Sequence, residues 1–349
     1  MRRRDVLAAA AALAGCAHMN ETARRPIVIA HRGASAYRPE HTLAAYALAI
    51  EQGADFIEPD LVMTKDHVLV CRHENEISQT TNVADQPEFA ERRKAKTVDG
   101  VEALGWWVED FTLAELKTLR CRERIPQLRP ENTRYNDQFE IPTFAEALAL
   151  ARQRGRGIYP ELKHPSFLRE QGVDPVPAFV EAVREGGGQS AADIMYVQCF
   201  EVGALRRLAE MSSIRWRCIQ LASADGGPWD RPDTTYASML TDDGLRWIAD
   251  YAAGVGVEKP LVIPRDADNN LAAPTDLVAS AHAANLLVHA WTFRPENFFL
   301  PSSLRVGVTA APETQRLPGD LEAELRAFYA AGADGVFSDD PAAAVTALS

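Results

Sequence analysis

From residue 27 onward the chain alternates short β-branched apolar runs with longer stretches in which apolar residues recur every three to four positions. The runs Ile27–Ala30, Phe56–Val62, Val68–Cys71, Ile158–Leu162, Met195–Phe200, Trp216–Leu221, Gly254–Val257, Leu286–Phe293 and Gly335–Phe337 read as strands. Helical periodicity predicts helices over Thr42–Gln52, Thr143–Gln153, Pro177–Glu185, Glu201–Met211, Pro274–Ala284 and Gly319–Ala331. Repeated strand-then-helix alternation argues for a parallel sheet covered by helices. No Gly-rich nucleotide loop follows any of these runs, which weighs against a doubly wound nucleotide-binding sheet. The predicted fold is therefore α/β, a distorted (β/α)8 TIM barrel. Nine runs are one too many for eight barrel strands. The turn at Lys65-Asp66-His67 is too short for a parallel crossover, so Phe56–Val62 and Val68–Cys71 are candidates for a hairpin. Gly254–Val257 is the weakest of the nine.

The alternation breaks between Glu74 and Asn136, a charge-rich stretch containing Glu91-Arg92-Arg93-Lys94 and one amphipathic pattern, Phe111–Leu119. Barrels carry their variation in loops beyond the strand C-termini, so about residues 74–140 are expected to form an insertion over the active-site face. The basic cluster reads as a solvated face, with phosphate steering as the alternative. Pro295–Pro318 is a second irregular stretch.

Composition narrows the partners. A length of 349 residues with 46% hydrophobic and 25% charged content suits one large core. The net charge of −12 is spread along the chain, which excludes the basic footprint of a nucleic-acid binder. An anionic substrate would then need local positive charge or a bound cation. The first residues read as an export signal: Met1-Arg2-Arg3-Arg4 precedes an Ala/Leu run too short to span a bilayer. That run ends in Leu13-Ala14-Gly15-Cys16, which resembles a bacterial lipobox, and Arg3-Arg4 resembles a twin-arginine signal. The expected organisation is a signal peptide over residues 1–16, a tether over 17–26 and a single barrel domain over 27–349. A lipidated Cys16 would anchor the protein to a membrane of the cell envelope or periplasm; the alternative is a soluble exported protein cut near Cys16. Cys71, Cys121, Cys199 and Cys218 lack metal-ligand spacing and are expected as buried free thiols. Nothing in the pattern speaks to oligomeric state.

The candidate chemistry lies at predicted strand ends. His31-Arg32-Gly33 closes the first strand, with Gly33 permitting a sharp turn. Glu58 and Asp60 stand two apart on the second, so both face the same side with Cα atoms roughly 6.6 Å apart. Two carboxylates ~5 Å apart repel by roughly 3 kcal/mol at an effective dielectric near 20. A hard divalent cation on oxygen ligands would offset that cost. Glu161 supplies a third carboxylate and Lys163 shares its face. Three carboxylates without cysteine favour Ca2+ or Mg2+ over zinc. His73 closes Val68–Cys71, and two imidazoles beside a metal suit general acid–base cleavage of a phosphodiester.

Three blocks carry a resemblance: His31 to Thr42, Gly53 to Asp66, and Leu69 to His73, followed by Tyr159–Lys163, Val197–Phe200, Val288–Thr292 and Asp334–Asp339. Together they are similar to the glycerophosphodiester phosphodiesterase family, most closely its periplasmic bacterial branch. The resemblance implies His31 and His73 as general acid and base. It implies Glu58, Asp60 and Glu161 as ligands of one divalent cation, Ca2+ first and Mg2+ second. It further implies Arg32 and Lys163 as phosphate ligands and Phe200 and Trp291 as walls of a glycerol pocket, with barrel packing the alternative for those two aromatics. Glycerophosphocholine, glycerophosphoethanolamine and relatives would yield sn-glycerol 3-phosphate and an alcohol. The chain departs from the family at His41 in place of Asn, His67 in place of Gly and Glu74 in place of Asp; His41 is expected to order its loop through Glu40. Two other readings compete: a phospholipase D-like enzyme acting on (lyso)phospholipids, and a non-catalytic binding lipoprotein on the same barrel.

Overall fold

A computed structural model describes residues 25–307 and 311–349, so the predicted signal peptide, Cys16 and most of the tether lie outside the described residues. Eight parallel strands close into a ring. In order they are Ile27–His31; Phe56–Glu58 continuing as Asp60–Met63; Gly157–Ile158 continuing as Glu161–Leu162; Val197–Cys199; Cys218–Ala222; Gly254–Glu258; Leu287–Phe293; and Gly335–Ser338. Each pairs with the next, and the eighth pairs back onto the first through Ile27 opposite Gly335. The second and third strands are each broken at a proline, Pro59 and Pro160, which cannot donate to the ladder. The ninth predicted run, Leu69–Cys71, is antiparallel to the second strand and stands outside the ring as the far arm of a hairpin. His67 in its turn has φ +62°, a left-handed conformation that glycine adopts without strain.

The pleat explains where the site is. Inside the barrel Ile29, Tyr159, Ile219 and Phe337 form a packed plug. Two residues further along the same strands, on the same inward face, come His31, Glu161, Leu221 and Asp339. The barrel thus passes from a mainly aromatic and aliphatic floor to a mainly polar mouth within one pleat repeat. Below the mouth, Tyr159 and buried His289 share a 2.7 Å hydrogen bond across the floor. The outer sheet face packs against helices such as Leu43–Glu51, Phe144–Gln153 and Val202–Met211 in one continuous core. Thr42 and Thr143 cap two of these, the latter in a reciprocal box with Glu146.

The segment between the hairpin and the third strand carries its own small core around Ile77, Phe89, Trp106, Phe111 and Leu119. It contains a two-stranded ribbon, Lys94–Val98 with Val101–Gly105, where no strand was expected, and only the short helix Leu113–Leu116 within the predicted Phe111–Leu119 pattern. The Arg92 and Lys94 side chains pair with Glu115 and Asp110, so this part of the basic cluster ties the segment to itself. Cys71, Cys121, Cys199 and Cys218 are all buried free thiols. No helix among the described residues is long and apolar enough to cross a membrane.

Candidate active site

Strand registers set the acidic groups side by side. His31 lies opposite Glu58 on the next strand, and Asp60 opposite Glu161, which in turn lies opposite Gln198. Alternation then carries Lys163 and Phe200 up the same faces as Glu161 and Gln198. Glu58, Asp60 and Glu161 are buried, each with a carboxylate oxygen within 4.8 Å of the others. Burial and the neighbouring carboxylates push Glu58 well above its usual range, and burial with Asp60 pushes Glu161 up to about 8 against the pull of Lys163. Asp60 goes the other way: Lys163, His73 and His41 outweigh its burial and hold it ionised. One of its oxygens, Oδ1, is buried without a hydrogen bond. Three crowded carboxylates that raise one another's protonation, with one oxygen free of hydrogen bonds, form an all-oxygen donor set that fits a hard divalent cation.

The two histidines line the same cavity as this cluster and share one local construction. His31 Nδ1 lies 2.6 Å from Asp339, and His73 Nδ1 is hydrogen-bonded to Glu74. A carboxylate can only accept, so each Nδ1 carries the proton and each Nε2 is left as the lone-pair nitrogen. Burial and then Arg32 lower His31 to about 4, against Asp339; burial, Arg32 and Lys163 lower His73 to about 3. Burial works to raise Asp339, yet Arg129, Arg294 and His31 hold it well below the usual carboxylate range.

Arg32 has φ +59°, and its backbone N–H donates to Glu58 at 2.8 Å, so the strained residue is held by a carboxylate of the acidic cluster. The turn behind it requires glycine: Gly33 has φ +89°, and a Cβ there would meet the Ala45 backbone at 2.7 Å. The Arg32 side chain reaches Glu40 at 3.0 Å and Asp60 at 3.3 Å, while Lys163 Nζ reaches Glu161 at 2.8 Å and Asp60 at 3.4 Å. Both cations line a cavity of about 510 Å³ together with His31, His73, Phe200 and Trp291. Phe200 and Trp291 meet edge to face with centroids 5.9 Å apart, and the buried Trp291 Nε1 has no hydrogen-bond partner. All nine residues singled out from the sequence thus converge on one cavity.

Several site residues had not been singled out. Gln198 donates to Glu58 at 3.1 Å. Arg294 lines the cavity and reaches Asp339 at 3.2 Å. His41 does not work through Glu40 as expected; its Nε2 donates to Asp60 at 2.8 Å and its Nδ1 meets Tyr46 Oη at 2.8 Å. Glu40 instead receives Arg32 and Arg124. The signal for Gln198 and Asp339 was present, since both are inward strand positions near a barrel end. None marked Arg124 or Arg129.

Comparison with known proteins places this geometry in context. The family model described as "Glycerophosphoryl diester phosphodiesterase family" matches residues 31–343. A glycerophosphodiester phosphodiesterase of Arabidopsis thaliana is 38% identical over 79% of this chain and 76% of its own length. One of Haemophilus influenzae is 30% identical over 83% of this chain and 86% of its own. Among solved structures, a phosphodiesterase of Oleispira antarctica in complex with the product sn-glycerol-3-phosphate shares the fold with a TM-score of 0.60 at 23% identity, covering 93% of this chain and 96% of that one.

Proposed function

The chain belongs to the glycerophosphoryl diester phosphodiesterase family and is an enzyme of that class, and we propose that it hydrolyses glycerophosphocholine, glycerophosphoethanolamine and relatives to sn-glycerol 3-phosphate and an alcohol. The observation that carries this reading is the meeting, in one cavity, of two histidines, each with Nδ1 tied to a carboxylate, and one buried acidic triad. Glu58, Asp60 and Glu161 would hold a divalent cation, Ca2+ before Mg2+, which supplies charge neutralisation at the phosphoryl oxygens. Arg32 and Lys163 bind and orient the phosphodiester. One histidine takes a proton from the attacking water at Nε2 as the new O–P bond forms. The other gives a proton to the departing alcohol oxygen as the old P–O bond breaks; the diester anion beside it favours its protonated form. Phe200 and Trp291 wall the glycerol side, with Trp291 Nε1 offered to a substrate hydroxyl.

The test is release of glycerol 3-phosphate from glycerophosphocholine by the purified protein with Ca2+, with lysophosphatidylcholine alongside. No turnover with either Ca2+ or Mg2+ refutes the proposal, and faster turnover of lysophosphatidylcholine replaces it with the phospholipase D-like reading. For cellular placement, we propose export and lipid anchoring through Cys16. Metabolic palmitate labelling that is lost in Cys16→Ala supports this, and labelling that survives the substitution refutes it.

A further inference from the structure

The arginines of the insertion make ion pairs of two different kinds. Arg92 and Arg122 stay within the insertion, on Glu115 and on Asp85 and Asp137. From the loop spanning residues 121–136, Arg129 leaves it for Glu296 and Asp339, and Arg124 reaches Glu40 outside it and Glu74 at its first residue. Each ends on a carboxylate that holds a histidine. Arg129 Nη2 lies 2.6 Å from Asp339, whose other oxygen takes His31 Nδ1 at 2.6 Å. Arg124 forks onto Glu74, the partner of His73 Nδ1, with Nη1 at 2.8 Å from Oε1. We infer that Arg124 and Arg129 are positioning residues, which aim the proton-transferring Nε2 faces of His73 and His31 into the cavity through Glu74 and Asp339.

The inference rests on the proposed roles of the two histidines, but its geometry is independent of them. A carboxylate fixes an imidazole only while it stays ionised and held in place. Asp339 is 2% exposed, where burial favours the protonated acid, and a protonated Asp339 would offer a donor to Nδ1 and turn the tautomer round. Arg129 opposes this with a rigid fork: Nε and Nη2 take Glu296 at 2.6 and 3.2 Å, and Nη1 takes the Ser35 carbonyl at 2.8 Å. Glu74 is 38% exposed at its side chain, so Arg124 supplies the restraint that burial does not. The same guanidinium grips Glu40 at 2.6 and 2.7 Å, and Glu40 holds Arg32. One loop therefore addresses both proton carriers and one phosphate ligand.

The competing account is that these arginines only staple the insertion to the barrel. Arg124→Lys and Arg129→Lys keep the charge and give up the fork. The inference predicts kcat lower by roughly tenfold to a hundredfold. KM should stay within about threefold for Arg129→Lys and rise further for Arg124→Lys, which also loosens Arg32. The 15N signals of the histidine rings should move from the Nδ1–H tautomer toward a mixture. In Arg124→Ala, whose parent side chain is 25% exposed, added guanidinium should restore part of kcat. Arg122→Ala, in the same loop, should keep wild-type kcat. Lower melting temperature with wild-type kcat and unchanged histidine 15N signals in both lysine variants overturns the inference in favour of stapling. His31→Ala and His73→Ala are measured in parallel. If those two retain activity, the assignment of the proton carriers fails; if they are inactive while the arginine variants are normal, only the present inference fails.

Discussion

Glu161→Gln should stabilise the metal-free protein while destroying its metal site. The three carboxylates present oxygens within 4.8 Å of one another, a spacing at which two charges repel by about 3 kcal/mol at an effective dielectric near 20. Burial and Asp60 push Glu161 up to about 8 from 4.5, so at pH 7 the folded protein binds a proton that the unfolded chain has released. Stability therefore falls as pH rises through that window, by about 3 kcal/mol at pH 7. A glutamine is neutral and of the same shape, and its Oε1 can still accept from Lys163, now 2.8 Å away. In EDTA at pH 7 the variant should melt roughly 5 °C higher than the wild type, with the gap closing below about pH 4.5, where both side chains are neutral. Ca2+ at about a thousand times its Kd should stabilise the wild type by about 4.1 kcal/mol and the variant far less, so the order reverses. Melting followed by intrinsic fluorescence in EDTA and in Ca2+, at both pH values, reads every arm. A variant that melts at or below the wild type in EDTA at pH 7, or that keeps the full Ca2+ shift, refutes the reasoning.

Three further substitutions separate the roles around the cavity. His41→Ala removes a donor from Asp60, so its activity loss should recover partly in excess Ca2+, whereas the loss of about 10²-fold or more in His31→Ala and His73→Ala should not; a loss in His41→Ala that is as large and Ca2+-independent would mean the proton carriers are misassigned. Trp291→Phe deletes an unpartnered indole donor and should raise KM about threefold to tenfold with kcat little changed, so an unaltered KM shows that the donor faces no substrate group. His289, 1% exposed, is lowered by burial to about 4, so between pH 6.5 and 4 the unfolded chain binds a proton the folded one refuses. Stability should drop across that window by about 3 kcal/mol and level off below it. Urea titrations of His289→Gln in EDTA should lack that part of the acid loss, and a pH dependence equal to that of the wild type counts against it.

What was legible in the sequence is what the pleat dictates. Glu58 with Asp60, and Glu161 with Lys163, stand two apart at strand ends, and a period of two puts each pair on one face whatever the rest of the chain does. The same rule reaches Asp339 from Phe337 and Gln198 from Phe200. Their partners were not legible, because a strand position says which way a side chain points but not what it meets across the barrel. The hairpin was legible from a turn too short for a crossover, and the closed count of eight followed only when Leu69–Cys71 was seen outside the ring. The ribbon at Lys94–Val98 and Val101–Gly105 escaped because its faces are mostly exposed and so show little apolar alternation.

Arg124 and Arg129 mark the boundary of this kind of reading. They lie 50 and 210 residues from the carboxylates they hold, in a loop with no period and beside Arg122, which has the same side chain but pairs with Asp85 and Asp137, away from the site. Nothing in the triplet Arg122-Glu123-Arg124 separates the arginine that reaches the site from the one that does not. The distinction arises only when the insertion folds back over the barrel mouth and its small core fixes where the loop lands. The residues that perform the proposed chemistry are thus set by the strands, while the residues that aim them are set by packing of a segment outside the barrel. Loosening that small core, for instance by Trp106→Ala, should therefore reach the site through Arg124 and Arg129. It should lower kcat while leaving the Ca2+-induced stabilisation intact, because the carboxylate triad stands on the barrel strands themselves; a loss of Ca2+ stabilisation at unchanged kcat would contradict this division.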